Sequence, residues 1–570
     1  MRNGPFRFVI AVAFASLCDN PTPVQPSVLH PKGDGGFKLH FPFRKVRRPE
    51  RHYRLGMDTK SLSTKTTERR HPGSAAARVW PLISRRAFLQ SVGGMAVVTS
   101  GCASLSTGSR GVFVNDVQSQ LNRTLVDRVM APRSQSQLAS AIQQAAESGK
   151  SVAVCGGRHA MGGQQFLTNA VLLDTTRLDR VLHFDREQGT IEVEAGMQWP
   201  GLLKSLLMAQ QDPRHTWTFA QKQTGANRFC LGGALGSNIH SRGLTMKPFI
   251  SDVDSFTLID ASGALRQCSR TENRDLFRLA IGGYGLFGVV YSVTLRLVPR
   301  QKLQRVVEFL EVDEVMPAFQ RRIDDGFLYG DFQFAIDPGS SSFLRQGIFS
   351  CYRPVPLETP MAPRKKLSTR DWLDLVQAAH VEPSRAFEEY SRYYRMTSGN
   401  IYWSDLHQFS GYLDHFHDEI DRRMHAAHRA TEIITEIYVP RASLAEFMAE
   451  AREDFRRNKV IVIYGTIRLI ERDDESFLAW AREPYACIIF NLHTVHTPQG
   501  IQHSAEAFRR LVDLAVKRQG RYYLTYHKFA SRQQLESCYP EFGAFLAEKR
   551  RLDPQEVFQS NWYRHYRRET

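Results

Sequence analysis

The sequence predicts an α+β protein behind a basic leader, and three observations carry that expectation. Short strand patterns alternate with glycine-rich loops between residues 151 and 298. After residue 301, alternating strand patterns stand among long amphipathic helices. The first glycine-rich loop, at 156–164, has neither the GxGxxG spacing nor the following helix of a doubly wound dinucleotide site. The 570 residues are 42% hydrophobic and 23% charged, ordinary for a globular chain and enough for one large or two medium domains.

The leader comes first. Residues 1–110 hold 18 Lys and Arg against 5 Asp and Glu, so +13 of the formal +17 falls there and +4 on the remainder. A basic excess confined to a leader is not a binding face, and no nucleic-acid partner is expected. Ser84-Arg85-Arg86-Ala87-Phe88-Leu89 precedes an uncharged stretch, 90–100, too short and too weakly apolar to span a bilayer. This resembles a twin-arginine export signal, which implies a periplasmic or cell-envelope location for a protein exported folded. An Arg pair opening an ordinary amphipathic helix is the competing reading. Thr99-Ser100-Gly101-Cys102 resembles a lipobox, which implies a membrane anchor through lipidated Cys102; plain cleavage or retention is the alternative. Residues 1–56 are Pro- and Arg-rich and fit a translation start upstream of the true one, with Met57 as the candidate start. The eight cysteines, at 18, 102, 155, 230, 268, 351, 487 and 538, form no CxxC pair and no cluster of zinc spacing with His. Buried free thiols and no metal are expected.

From residue 115 the chain reads as folded. Residues 136–148 have helical spacing, with Leu138, Ile142 and Ala145 on one face and Gly149 placed to end it. Residues 151–155 form a short buried strand, and Gly156-Gly157-Arg158-His159-Ala160-Met161-Gly162-Gly163-Gln164 follows directly. Glycines after a strand let successive N–H groups surround a pyrophosphate. Strands are expected at 171–174, 190–194, 256–260 and 293–298. Between and after them stand Gln223-Thr224-Gly225-Ala226, then Leu231-Gly232-Gly233-Ala234-Leu235-Gly236-Ser237-Asn238-Ile239-His240-Ser241-Arg242-Gly243. Asp275-Leu276-Phe277 and Ile281-Gly282-Gly283-Tyr284-Gly285-Leu286-Phe287-Gly288-Val289-Val290 follow. Sheet bends account for a few of these glycines; their density points to backbone contact with an extended ligand.

In this order the motifs resemble the vanillyl-alcohol oxidase/p-cresol methylhydroxylase (PCMH-type) flavoprotein superfamily. The resemblance is strong over residues 124–300 and nearest to decaprenylphosphoryl-ribose oxidases, aldonolactone and alditol oxidases and cytokinin dehydrogenases. It implies a two-subdomain PCMH-type FAD-binding fold over 111–300 and an α/β substrate-cap domain on an antiparallel sheet over 301–515. Residues 516–570 would return to the FAD domain, where Leu552-Asp553-Pro554 with Val557-Phe558 matches the family's D-P-x-x-x-F ending. FAD is the implied cofactor, held by Gly156, Gly157, Arg158, His159, Ala160, Met161, Gly162, Gln164, Thr224, Gly225, Gly232, Gly233, Ser237, His240, Gly283, Gly288 and Val289. His159 stands where relatives bond the flavin 8α-methyl covalently, with Ala160 in place of their Ser; a noncovalent flavin beside a structural His is the alternative. Ile239 falls where some relatives carry a small residue that admits oxygen, and its bulk implies another acceptor.

In the second half, most aromatics in the runs 329–334 and 401–403 are expected in the core. Residues 461–468 resemble the E-x-R strand of aldonolactone and alditol oxidases, with Thr466 replacing the Glu and Arg468 retained. Tyr526-His527-Lys528-Phe529-Ala530-Ser531-Arg532 resembles Y-T-A-K-D-S-R of the ribose oxidases, which implies that Lys528, with His527, assists proton loss or stabilises reduced flavin. The implied reaction takes a hydride from the CH–OH of a sugar, polyol or related alcohol to flavin N5, with oxygen or a quinone-like molecule as acceptor. A C=C reductase resembling sterol-24 reductases, and an exported flavin carrier without catalysis, are the alternatives.

Overall fold

The computed structural model describes residues 111–210, 212, 215–362, 368–410 and 416–568. The export motif at 84–89, Met57 and Cys102 lie outside these residues. An antiparallel ribbon of β1 (Val112–Val114) and β2 (Thr124–Val126) leads into a small parallel sheet. That sheet contains β3 (Arg128–Met130), β4 (Val152–Cys155) and β5 (Val171–Asp174) in the order β3-β5-β4. The helix Gln135–Glu147 covers it. Ser134 caps the helix by accepting from the Gln137 N–H, and Leu138, Ala141, Ile142 and Ala145 form its buried stripe against Val152, Val171 and Leu173. Each large aliphatic side chain on such a stripe contributes about 1.5–3 kcal/mol. The chain end completes this layer: the Val152 N–H donates to the Val557 carbonyl at 2.7 Å and the Gln559 N–H to the Val152 carbonyl at 2.9 Å.

The second sheet comprises β6 (Val181–Asp185), β7 (Thr190–Glu194), β8 (Trp217–Phe219), β9 (Val253–Ile259), β10 (Leu265–Ser269) and β11 (Val289–Pro299). It runs β10-β9-β11-β7-β6, all antiparallel, with β8 on the end of β11. The expected strands at 256–260 and 293–298 are the inner parts of β9 and β11. Two helices, Trp199–Ala209 and Leu231–Ser237, share its core through Trp199, Leu202, Leu231 and Leu235.

The third sheet comprises β12 (Lys302–Glu311), β13 (Tyr329–Phe334), β14 (Gln346–Val355), β15 (Ile401–Trp403), β16 (Ala430–Pro440), β17 (Val462–Ile470), β18 (Tyr485–Val495) and β19 (Arg521–Tyr522). Its order is β15-β12-β14-β13-β17-β18-β16-β19, and every neighbouring pair is antiparallel. On one face Ile433, Ile437, Ile467, Ile488 and Phe490 share a core with Phe447, Met448, Phe455, Phe508 and Leu511 of the helices Leu444–Arg457 and Pro498–Val516. Side chains alternate across a strand. The opposite face of β16, β17 and β18 therefore carries Glu432, Ile434 and Glu436; Tyr464, Thr466 and Arg468; and Cys487, Ile489, Asn491 and His493. Mixed helices and antiparallel sheets make this an α+β structure; the parallel β3-β5-β4 layer is an addition to what the patterns suggested. The six described cysteines are all free and buried, and no described helix is long and apolar enough to cross a membrane.

Candidate active site

The loop 156–164 leaves β4 with no helix behind it, so its path is set by contacts. Gly157 passes so close to Arg228 that a Cβ there would stand 2.2 Å from the Arg228 carbonyl oxygen. The Met161 N–H donates to the Thr525 carbonyl at 3.0 Å, and Gln164 Nε2 to the Leu524 carbonyl at 2.6 Å, which ties the loop to the turn after β19. Between this loop, the helix Leu231–Ser237 and the segment 284–290 lies a cavity of about 1340 Å³. Gly156, Gly157, Arg158, His159, Ala160, Met161, Gln164, Gly225, Gly232, Gly233, Ser237 and Gly288 line it, as does Ile239. Gln223, Tyr284, Tyr523, Thr525 and Tyr526 line it as well; Tyr523 and Thr525 stand in none of the motifs read from the sequence, and the other three were not singled out within theirs.

Five residues expected at the cofactor stand behind the wall instead. The Gly162 N–H is taken by Gln164 Oε1 at 2.9 Å, and a Cβ on it would strike the Tyr526 carbonyl oxygen. Thr224 is buried with Oγ1 unpartnered but does not border the cavity. His240 is turned into the third sheet, against Glu436. Gly283 abuts the Leu279 carbonyl, and Val289 belongs to the core around Leu138 and Val171. Glycine spacing alone does not separate residues that face a ligand from residues that let the chain fold behind it.

The cavity suits a long, flat ligand with many acceptor and donor atoms. A Cβ on Gly225 or Gly233 would meet no atom within 4 Å, so the room a side chain would fill is left to the cavity. Gln165 Oε1 and Gln223 Oε1 are buried without partners, which costs about 1–3 kcal/mol each unless a ligand group meets them. Both features fit FAD. His159 borders the cavity with its ring 4.3 Å from that of Phe229. Burial and the nearby Lys222 ammonium push its imidazole down to about 4, which keeps it neutral. Lys222 is itself buried and donates to the carbonyls of Gln223, Ala226 and Gln408 at 2.7, 2.9 and 3.3 Å. Burial pushes the thiols of Cys155 and Cys230 up to about 12, so both remain protonated.

A second cavity, of about 650 Å³, adjoins the first and shares Gln118, Gln223, Gly225, Ile434 and Tyr526 with it. Its floor is the polar face of the third sheet: Glu432 and Ile434, Tyr464, Thr466 and Arg468, Ile489 and Asn491. The register places Thr466 opposite Ile489 and Tyr464 opposite Asn491, so these side chains point the same way. Arg468 is 3% exposed, and its Nε and Nη1 have no hydrogen-bond partner; Thr466 Oγ1 and Asn491 Oδ1 are likewise unpartnered. A buried guanidinium with open donors is a site for an oxygen-rich ligand.

Behind this floor, the Tyr526 hydroxyl donates to Glu436 Oε2 at 3.0 Å, while the Tyr438 hydroxyl and the Cys487 thiol donate to Oε1 at 2.8 and 3.0 Å. His240 Nε2 faces Oε1 as well. Burial would raise the Glu436 carboxyl, but His240 above all, with Cys487 and Tyr438, outweighs it and holds the group at about 2. Lys528 and His527, expected at the reacting centre, line neither cavity. Two successive turns after β19 carry Tyr526 inward and the next two residues away. Lys528 Nζ lies beside Gly163, with Asn122 and Asn561 as its neighbours there. The His527 ring stacks on Phe529 at 4.8 Å.

Residues 126–269 match the family described as FAD binding domain. The chain is 22% identical over 437 residues to L-gulono-1,4-lactone dehydrogenase of Mycobacterium tuberculosis, a match covering 76% of this chain and 95% of the relative. It is 31% identical over 170 residues to L-gulonolactone oxidase of Mus musculus, covering 30% of this chain and 37% of the oxidase. It is 26% identical over 159 residues to decaprenylphosphoryl-beta-D-ribose oxidase of Mycolicibacterium smegmatis, covering 28% and 33%. The matched domain and these relatives are consistent with an FAD-dependent oxidoreductase of the PCMH-type superfamily. FAD is the cofactor of this flavoprotein. The glycine walls at 156–164 and 223–237 fall inside the matched domain; the Tyr523–Tyr526 wall and the Arg468 cavity lie beyond it.

Proposed function

We propose that this flavoprotein oxidises a CH–OH carbon of a sugar, sugar lactone or related polyol to a carbonyl. The observation that carries this reading is the pairing of the two cavities. The first fits FAD, and the second opens onto it with an unpartnered Arg468 beside Thr466 and Asn491, groups suited to several hydroxyl or carbonyl oxygens. When bound, FAD supplies the hydride acceptor, N5. Arg468 donates to a substrate oxygen and fixes the carbon that reacts. The Tyr526 hydroxyl donates to Glu436, which leaves a lone pair on its oxygen for the substrate hydroxyl; as the hydride leaves the carbon, the hydroxyl proton passes to the Tyr526 oxygen and the tyrosine's own proton to Glu436. Residues 111–300 serve as the two-subdomain FAD domain, 301–515 as the substrate cap and 516–570 as the returning segment.

His159 is the attachment point for a covalent flavin on this reading, since a neutral imidazole is the nucleophilic form. Ile239, on the wall of the first cavity, favours a quinone-like acceptor over oxygen. The motif at 84–89 supports twin-arginine export to the periplasm or envelope, and Cys102 supports a lipid anchor. Anaerobic addition of sugar lactones and alditols to the oxidised holoprotein tests the reaction. Bleaching of the flavin band by at least one of them is the expected result; no bleaching by either class removes the CH–OH reading. Acid precipitation tests the bond: a yellow pellet from the wild type and a yellow supernatant from His159→Ala are expected.

A further inference from the structure

At the end of the second cavity the fold gathers three imidazoles around one buried carboxylate. Glu432 on β16 stands directly opposite His493 on β18, so the two side chains leave the sheet on the same face. His380 comes down from the last turn of the helix Thr369–Val381, and His417 from the start of the helix Phe416–Arg423. The side chains of His380, His417 and Glu432 are 3%, 2% and 6% exposed. His380 Nδ1 lies 2.7 Å from the Val376 carbonyl oxygen, which only accepts, so the Nδ1 proton is fixed there. Its Nε2 then faces Glu432 Oε1 at 3.2 Å. A lone pair on Nε2 facing a carboxylate oxygen is repulsive unless a cation lies between them. The other carboxylate oxygen lies 2.8 Å from His417 Nδ1, and the His493 Nδ1 has no hydrogen-bond partner.

We propose that His380, His493 and Glu432 bind a divalent transition-metal ion of the zinc class, with His417 orienting the carboxylate. One donor atom from each of the three lies within 4.8 Å of the others. Ligand bonds of about 2.0–2.1 Å at a tetrahedral ion put neighbouring donor atoms about 3.3 Å apart, which matches the His380–Glu432 separation. Two imidazoles and a carboxylate suit zinc and its neighbours better than calcium or magnesium, which prefer oxygen alone. The His380 Nδ1–H on a backbone carbonyl is the usual outer support of an Nε2 ligand. The ion joins the helix Thr369–Val381 to the third sheet beside the substrate cavity, whose wall includes Glu432. The ligands are separated by 52 and 61 residues, so no spacing motif announces them.

The alternative is a proton alone between His380 and Glu432. The full-length holoprotein separates the two. After EDTA treatment and dialysis, it is titrated with ZnCl₂ against a chromophoric chelator, and retained metal is measured by mass spectrometry. One zinc per chain, a higher thermal midpoint with zinc, and at least tenfold weaker binding in Glu432→Gln and in His493→Gln are expected. Wild-type protein retaining under about a tenth of an equivalent, or both variants holding the wild-type amount, overturns the site. The wild-type titration decides the matter even if a variant does not fold, and flavin content, read separately by absorbance, leaves the FAD assignment independent.

Discussion

On the proposed reading, Arg468 and Tyr526 make the second cavity the place of the chemistry. A charge-assisted hydrogen bond contributes about 1.5–3 kcal/mol, so Arg468→Ala should lower kcat/KM roughly ten- to a hundredfold while flavin content stays at the wild-type level. Steady-state kinetics with the best-bleaching substrate checks this; an unchanged kcat/KM removes Arg468 from the site. Tyr526→Phe keeps the ring that lines both cavities and deletes the acceptor oxygen. It should cost roughly a hundredfold in kcat with little change in KM. Arg468 was legible through the resemblance of residues 461–468 to the E-x-R strand of aldonolactone and alditol oxidases, and a strand's period of two puts it on one face with Thr466. Lys528 was not, because its direction depends on two turns whose geometry residue types do not set. The carboxylates Glu432 and Glu436 left a trace, two acids four apart in an otherwise uncharged strand, but their partners arrive from other strands and helices.

Among the elements, the helix Leu231–Ser237 most defied its own composition. Three glycines in seven residues should disfavour a helix by about 1 kcal/mol each against alanine. Contact decides instead: the Gly232 N–H donates to the Ala195 carbonyl at 2.7 Å, and a Cβ on Gly232 would sit 2.8 Å from the Ala195 Cβ. Gly233 faces the first cavity without any such contact. Gly233→Val should therefore leave the fold intact and abolish flavin retention, read as the ratio of flavin to protein absorbance; full retention would place the cofactor elsewhere. By contrast β4, β5 and the helix Gln135–Glu147 were legible, because local pattern and tertiary burial agree there. The terminal segment depends on a buried ion pair. Asp553 accepts from Lys549 and from the N–H groups of Val557 and Phe558 at 2.9 and 2.8 Å, holding the stretch that pairs with β4. Asp553→Ala strands the Lys549 charge and should cost about 3–5 kcal/mol in urea denaturation.

For the whole molecule, acid is the weak side. Burial, with Lys528, pushes His527 down to about 3 from its usual 6.5. Between those values the unfolded chain binds more protons than the fold, so stability falls as pH falls below 6.5. His159, His407, His493 and His496 act in the same sense; His380, and Asp252, whose carboxyl burial pushes up to about 7, act in the opposite one. Glu436, held at about 2 against a usual 4.5, adds a second loss below pH 4.5. A thermal midpoint flat above pH 7, declining below 6.5 and steepest below 4.5 is expected; a midpoint that rises on acidification contradicts this account. The order of the eight-stranded sheet was not legible, since its neighbours come from distant stretches and local pattern carries no pairing information. The same long reach shapes biosynthesis. The floor under loop 156–164 is the turn at 523–526, and the edge of β4 away from β5 is covered only by 557–559. A nascent chain thus lacks one wall of its flavin cavity until residues 523–526 have been made, and cofactor capture must follow their synthesis.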